Sequence, residues 1–187
     1  MLIQKPFSFK EDGFCNIQTG RKNFMDIRLA ENKDLPEIME IYAYAREFMK
    51  TIGNPTQWAG GYPKKEMLED DIAKNNLYVG VENGKICGIF AFIVGEDETY
   101  NVIENGEWHS NAVYGTIHRI ASNGQVKGFS KICFDFCREK CSYLRIDTHA
   151  NNKPMQGAIR SYGFQECGII HTRDGSDRIA FDYIEEK

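Results

Sequence analysis

Apolar and polar residues alternate through Met25, Asp26, Ile27, Arg28 and Leu29, the period of two that a strand with one buried face requires. The period then lengthens. Asp34, Leu35, Pro36 and Glu37 place an acid at a helix cap, proline in the first turn and a second acid three residues after the first. Ile38, Met39, Tyr42, Ala45 and Met49 follow on one helical face, which predicts an amphipathic helix. A second, more polar helix is predicted from Pro63 to about Lys74, with Met67, Leu68 and Ile72 as its apolar stripe. Residues 77–81 and 86–94 flank Asn83-Gly84, a pair that tolerates the positive φ angles of a tight hairpin.

After an excursion containing Tyr100, Glu104 and Trp108, a strand is predicted from about Ala112 to Ala121. A helix over 129–141 and a strand over 144–148 follow, so the two strands should run parallel. Asn152 and Pro154 introduce a short helix to about Tyr162, and Gly163 ends it. Residues 164–171 and 178–184 read as a closing hairpin around Asp174-Gly175. Residues 1–24 show no clear period and are read as an N-terminal extension of uncertain order, ahead of one domain over 25–187.

A chain of 187 residues with 42% hydrophobic positions can bury a core without disulfides or metal. A net charge of -4 gives no electrostatic footprint for nucleic acid or an anionic membrane. The first residues lack the apolar core of a signal peptide, and no apolar run approaches the ~18 residues of a membrane span. A cytoplasmic location is therefore expected, with neither nucleic acid nor membrane as partner. Cys133, Cys137 and Cys141 recur every four residues along one helix face, a stripe of small buried side chains. No Cys-x-x-Cys pair or histidine at zinc spacing accompanies them, so no metal is expected. Cys15, Cys87 and Cys167 are scattered singly.

The chemistry concentrates between the late strand and the helix after it, in Ile120-Ala121-Ser122-Asn123-Gly124-Gln125-Val126-Lys127-Gly128-Phe129-Ser130. A glycine-containing loop that opens a helix exposes backbone N–H groups with no intrahelical partner, and the helix dipole adds partial positive charge there. A pyrophosphate suits that cradle, and Lys127 adds a point charge. A dinucleotide-binding fold is one owner of such a loop, and Asp147 falls near the distance of its ribose-binding acid. That fold places the loop after its first strand, however. Here it comes late, after antiparallel hairpin signals.

Gln125-x-x-Gly128-x-Ser130 resembles the Gln/Arg-x-x-Gly-x-Gly/Ala signature of the GNAT superfamily of acyl-CoA-dependent N-acetyltransferases, with Ser130 as a small departure at its last position. A second motif of that family, Asn followed twelve residues later by the Phe of a Gly-Phe pair, is matched by Asn152 and Gly163-Phe164. The order of elements over residues 25–187 resembles the same family. The segments 117–121, 144–149 and 152–156 look like a bacterial branch whose substrate is undefined.

The resemblance implies an α+β fold, a mostly antiparallel twisted sheet flanked by helices with a central pair of parallel strands that splay apart. It implies acetyl-CoA as donor, with pyrophosphate on Gln125, Val126, Lys127, Gly128, Phe129 and Ser130, and pantetheine along Ile120, Ala121 and Ser122 with Asn152 opposite. The acceptor would be a primary amine of a small molecule or peptide, and the protein a monomer or homodimer. Trp58 and Tyr62 would wall the acceptor site. Many relatives carry a Tyr seven residues after the motif's Asn to protonate the leaving thiolate, but this chain has Ile159. His118 is then the candidate base, sharing a face with Ile120 if strand alternation holds. Glu104 is an alternative base or amine ligand, Tyr162 a substitute acid, and His149 lies near the cofactor edge by sequence. Arg119, Arg145 and Arg160 are expected to pair with surface acids. Ile159 also leaves open a non-catalytic module that binds or senses acyl-CoA.

Overall fold

The computed structural model describes residues 15–18 and 24–185. Among them, eight strands form one sheet: β1 (Cys15–Gln18), β2 (Phe24–Leu29), β3 (Leu77–Glu82), β4 (Lys85–Val94), β5 (Gly115–Ser122), β6 (Tyr143–Thr148), β7 (Gln165–His171) and β8 (Asp177–Ile184). The strand order is β1-β2-β3-β4-β5-β6-β8-β7. Every neighbouring pair is antiparallel except β5 and β6, which are parallel. Four α-helices complete the described fold: α1 (Leu35–Thr51), α2 (Lys65–Ala73), α3 (Phe129–Lys140) and α4 (Lys153–Tyr162). This is the mixed α+β architecture that the resemblance implied, with the hairpin at Asn83-Gly84 and the Gly163 stop of α4 in place. Residues 15–18, inside the stretch read as an extension, form the edge strand β1; the remainder of residues 1–23 lies outside the described residues.

Two boundaries move. α2 begins at Lys65, two residues after Pro63, because Lys64 is extended at φ -78°, ψ 153° and serves as the N-cap. β5 begins at Gly115, three residues later than the pattern suggested.

Each face of the sheet buries its own core. α1 and α2 cover one face, where Ile38, Ile41 and Tyr42 meet Leu77, Val79, Ile89, Ala91 and Ala121. α3 and α4 cover the other, where Ile132, Phe134, Phe136 and Ile159 meet Phe90, Phe92, Ile117, Ile146 and Phe181. Burying each such side chain is worth roughly 1.5–3 kcal/mol, so the two layers supply most of the drive for folding. The excursion between β4 and β5 packs Tyr100 and Trp108 against Tyr114, Tyr143, Ile170 and Ala180. Cys133 and Cys137 are fully buried in the α3 core, while Cys141 is partly exposed at the C-cap, so the cysteine stripe is two residues deep.

Two irregularities shape the centre. β5 and β6 pair only at Gly115↔Leu144, Thr116↔Arg145 and Ile117↔Ile146. Beyond that point β5 follows β4 and β6 follows β8, so His118–Ser122 and Asp147–Thr148 face each other across a gap. β5 also carries a bulge. Ala91 pairs with His118 and Ile89 with Ala121, which sets Arg119 and Ile120 against Phe90 alone, and Arg119 takes φ 54°. An extra residue shifts the alternation that follows it.

Candidate active site

The gap between β5 and β6 opens into a cleft of about 980 Å³. Its walls come from α1 (Tyr44, Phe48), the loop before α2 (Gln57, Trp58, Tyr62), the free stretch of β5, the start of α3, the end of β6 and the first turns of α4. Of the residues expected to hold a donor, Ile120, Ala121, Ser122, Val126, Gly128, Phe129, Ser130 and Asn152 all line it. Gln125 and Lys127 are exposed members of the same loop that do not.

The loop is built from the chain outward. Asn123 ties it to β4, donating from its main-chain N–H to the Cys87 carbonyl (3.0 Å) and from its amide to the Ile86 carbonyl (3.3 Å). Its Oδ1 accepts the Gln125 N–H at 3.0 Å. The Gln125 amide is therefore engaged within the loop, and the anion cradle narrows to the residues after it. Gly128 is the N-cap of α3 at φ 77°. A Cβ there would meet nothing within 4 Å, so the requirement for glycine is the left-handed backbone itself. The first capping bonds run from Lys131 and Ile132 to the Gly128 carbonyl, and no side chain caps the helix. The amides of Phe129 and Ser130 precede them and point out of the helix end.

The Phe129 side chain does not enter the cleft as a ligand; it is 3% exposed and belongs to the core. Its ring fills the space left by Gly80 and Gly88, a directly paired couple on β3 and β4. Two missing Cβ atoms thus seat the first turn of α3, and the cradle with it, against the sheet.

The bulge corrects the expected relation of His118 to Ile120. Alternation does not hold between them, because the extra residue places His118 in register with Ala121 on the α1 and α2 face, while Ile120 packs against the α3 core. Both still border the gap. His118 Nε2 lies 3.0 Å from Asp97 Oδ2. Burial would push the Asp97 carboxyl up, but hydrogen bonds from His118 and Thr99 outweigh it and hold the group well below the ordinary carboxylate range. Tyr100, fully buried, donates to Asp147 Oδ1 at 2.6 Å, and burial together with that carboxylate pushes its hydroxyl far above its ordinary range.

Arg119 does not pair with a surface acid. It reaches Asp71 of α2 at 2.5 Å, with side chains 11% and 8% exposed, and its carbonyl accepts the Tyr42 hydroxyl at 3.0 Å. Arg145 is buried too, stacked against the rings of Trp108 and Tyr114 at 4.0 and 3.9 Å. Arg160 pairs with Glu166 at the surface, as expected.

Glu104 and Tyr162 do not reach the cleft. Glu104 is held by a backbone bridge to Ile169, and its exposed carboxylate pairs with His171 at 3.3 Å. Tyr162 packs with Phe134, Phe164 and Tyr183 and donates to Asp135 at 2.9 Å. Burial and that carboxylate push its hydroxyl upward. His149 does not line the cleft, and Ile159 is wholly buried.

Trp58 and Tyr62 both border the cleft, with Trp58 edge-on to Tyr42 at 5.6 Å. Asn152 spends its amide on Gln57 Oε1 (3.0 Å) and its Oδ1 on the Met155 N–H (3.3 Å), so it joins α4 to the aromatic loop. The Thr148 hydroxyl, buried beside the gap, has no hydrogen-bond partner among the described residues. An orphaned polar atom beside two unpaired strand edges fits an extended ligand carrying amides.

Asp97, Gln57, Asp71 and Thr148 were missed from the sequence. Asp97-x-Thr99 has the form of a local cap, but its reach to His118, 21 residues away, has no local signal.

The chain matches no protein-family model and no curated protein. It is similar to a GNAT-family acetyltransferase from Streptococcus agalactiae, at 35% identity over 87% of this chain and 96% of that one, with a TM-score of 0.80. A putative acetyltransferase from Staphylococcus aureus is 29% identical over 84% and 97% of the two chains, TM-score 0.60. A putative acetyltransferase from Salmonella typhimurium, solved with its cofactor acetyl-CoA, shares the fold at 16% identity over 87% and 95%, TM-score 0.56.

Proposed function

The chain belongs to the GNAT family of acetyltransferases, and from that premise we propose that it moves an acetyl group from acetyl-CoA to a primary amine of a small molecule or peptide, by direct transfer in a ternary complex. The observation that carries this reading is the gap between β5 and β6, with an anion cradle at one end and an imidazole at its border. Acetyl-CoA supplies the activated thioester. The protein's residues bind and orient it: the amides of Phe129 and Ser130 receive the pyrophosphate, and the open edges of β5 and β6 receive the pantetheine amides.

The bulge contributes directly. It leaves backbone groups of β5 outside the β4 ladder, and the Ile120 N–H is the donor for charge developing on the carbonyl oxygen. His118 removes the proton of the amine, and Trp58 and Tyr62 hold the acceptor's body. The amine lone pair forms the C–N bond as the C–S bond breaks. The amine proton passes to His118, and the sulfur leaves with its electron pair as thiolate. Ordering both reactants in one cleft supplies several kcal/mol of the barrier reduction, on the order of what oriented intramolecular reactions show.

Release of free thiol from acetyl-CoA against a panel of amines and peptides tests the reading. Acceptor-dependent release well above hydrolysis is the expected result. Coenzyme A binding with no release for any acceptor would instead favour a sensing module, the reading to which the buried Ile159 points.

A further inference from the structure

A neutral imidazole has two tautomers, and the nitrogen that carries the proton is set by the bond the other one makes. In this chain the turn after β4 supplies the partner of one of them. Asp97 caps the 3-10 turn Glu98–Tyr100, its Oδ1 accepting from the Thr99 N–H (2.9 Å) and hydroxyl (2.7 Å). The Asp97 N–H donates to the Tyr114 hydroxyl at 3.0 Å. With main chain and Oδ1 both fixed, Oδ2 is left facing His118 Nε2 at 3.0 Å, in a pair whose side chains are 19% and 16% exposed. Tyr100, at the end of the same turn, meets the imidazole edge-on (5.8 Å, 88°) and spends its own proton on Asp147, so it does not compete for His118.

We propose that Asp97 is a positioning residue for acetyl transfer: it accepts the Nε2 proton of His118, holds the tautomer with Nδ1 unprotonated, and so makes Nδ1 the atom that receives the amine proton. The proposal rests on the reading of His118 as base. Nδ1 has no hydrogen-bond partner among the described residues, which leaves it for an incoming amine. Three carboxylates and two arginines lie around the ring. Asp97 faces it from the β4–β5 turn. Asp71 of α2 is balanced by Arg119, and Asp147 of β6, behind Tyr100, has Arg178 of β8 at 3.7 Å. The two arginines are each matched by a carboxylate, and Asp97 remains as the counter-charge to an imidazolium.

Asp97→Asn tests this with little change of shape. The asparagine oxygen still caps Thr99, but its amide donates to Nε2 and forces the opposite tautomer. The expected result is a fall in kcat on the order of 100-fold or more, with coenzyme A affinity unchanged and the His118-dependent limb of the pH–rate profile lost. Asp97→Glu should recover part of the rate. Imidazole nitrogen NMR of the wild-type protein gives a readout independent of turnover and of any variant's folding: the proton should reside on Nε2. A proton on Nδ1 overturns the proposal, as does wild-type kcat and pH dependence in Asp97→Asn when His118→Ala is inactive. Wild-type turnover in His118→Ala removes instead the reading of His118 as base.

Discussion

Asp97 brings a negative charge into a half-closed part of the protein, and its hydrogen bonds decide whether that is stabilising. Burial alone would raise its pKa; His118 and Thr99 reverse the sign and lower it. A carboxyl whose folded pKa lies below its unfolded value, about 4, contributes stability above that pH and loses it as pH falls toward the folded value. Asp97→Asn should therefore cost about 1–3 kcal/mol at neutral pH, a difference that narrows steadily below about pH 4, measured by urea unfolding of both proteins at pH 7 and pH 3. A constant difference would separate the stability of this turn from the charge on Asp97. Single residues were the hardest level to read from the sequence. His118 was recognisable because imidazole chemistry is scarce in this chain, whereas Asp97, Asp71 and Gln57 act through partners far away in sequence. Tyr162 and Glu104 looked chemically apt, but each is spent elsewhere, on Asp135 and on the β7 edge. Arg145 was missed as a core residue because only the folded excursion brings Trp108 and Tyr114 onto its guanidinium.

Elements were far more legible. The periodicity of α1, the Asn83-Gly84 turn, the glycine at the N-cap of α3 and the stop at Gly163 are local signals, and each stands where its chemistry requires. The seating of α3 is not local. Gly80 and Gly88 read as ordinary strand glycines until the Phe129 ring is seen to fill the space over both. A Cβ at Gly88 falls inside the van der Waals surface of that buried ring, which cannot swing aside as an exposed side chain would. Gly88→Ala should therefore destabilise the fold by about 1–3 kcal/mol. It should also weaken coenzyme A binding several-fold, although residue 88 lies outside the cleft lining. Calorimetric binding of coenzyme A beside a thermal melt checks both parts. Full affinity in the variant would show that the cradle keeps its place without this contact.

At the scale of the molecule, the sheet is one continuous layer except where β5 leaves β6. The unpaired edges there carry a cost that a ligand bonded to both would relieve. Coenzyme A at about a hundred times its dissociation constant should add roughly 2.7 kcal/mol of stability, a rise in Tm of roughly 5–10 °C for a chain of this size. Scanning calorimetry with and without coenzyme A measures it, and an unchanged Tm would count against the donor site. The order of strands and helices was legible because each crossover was marked by turn residues and a change of period. The gap was not, since it arises from where two ladders part company rather than from any residue that breaks a strand.

The bulge at Arg119 and Ile120 gives β5 a change of parity. The residues before it are numbered, in effect, for one side of the sheet, and those after it for the other. A one-residue deletion at the bulge would not merely shorten the strand: with His118 still opposite Ala91 and Ala121 still opposite Ile89, it would close β5 onto the β4 ladder and remove the free backbone groups that border the gap. Length at this point is thus part of the chemistry, and a change that keeps every functional side chain can still take the site apart.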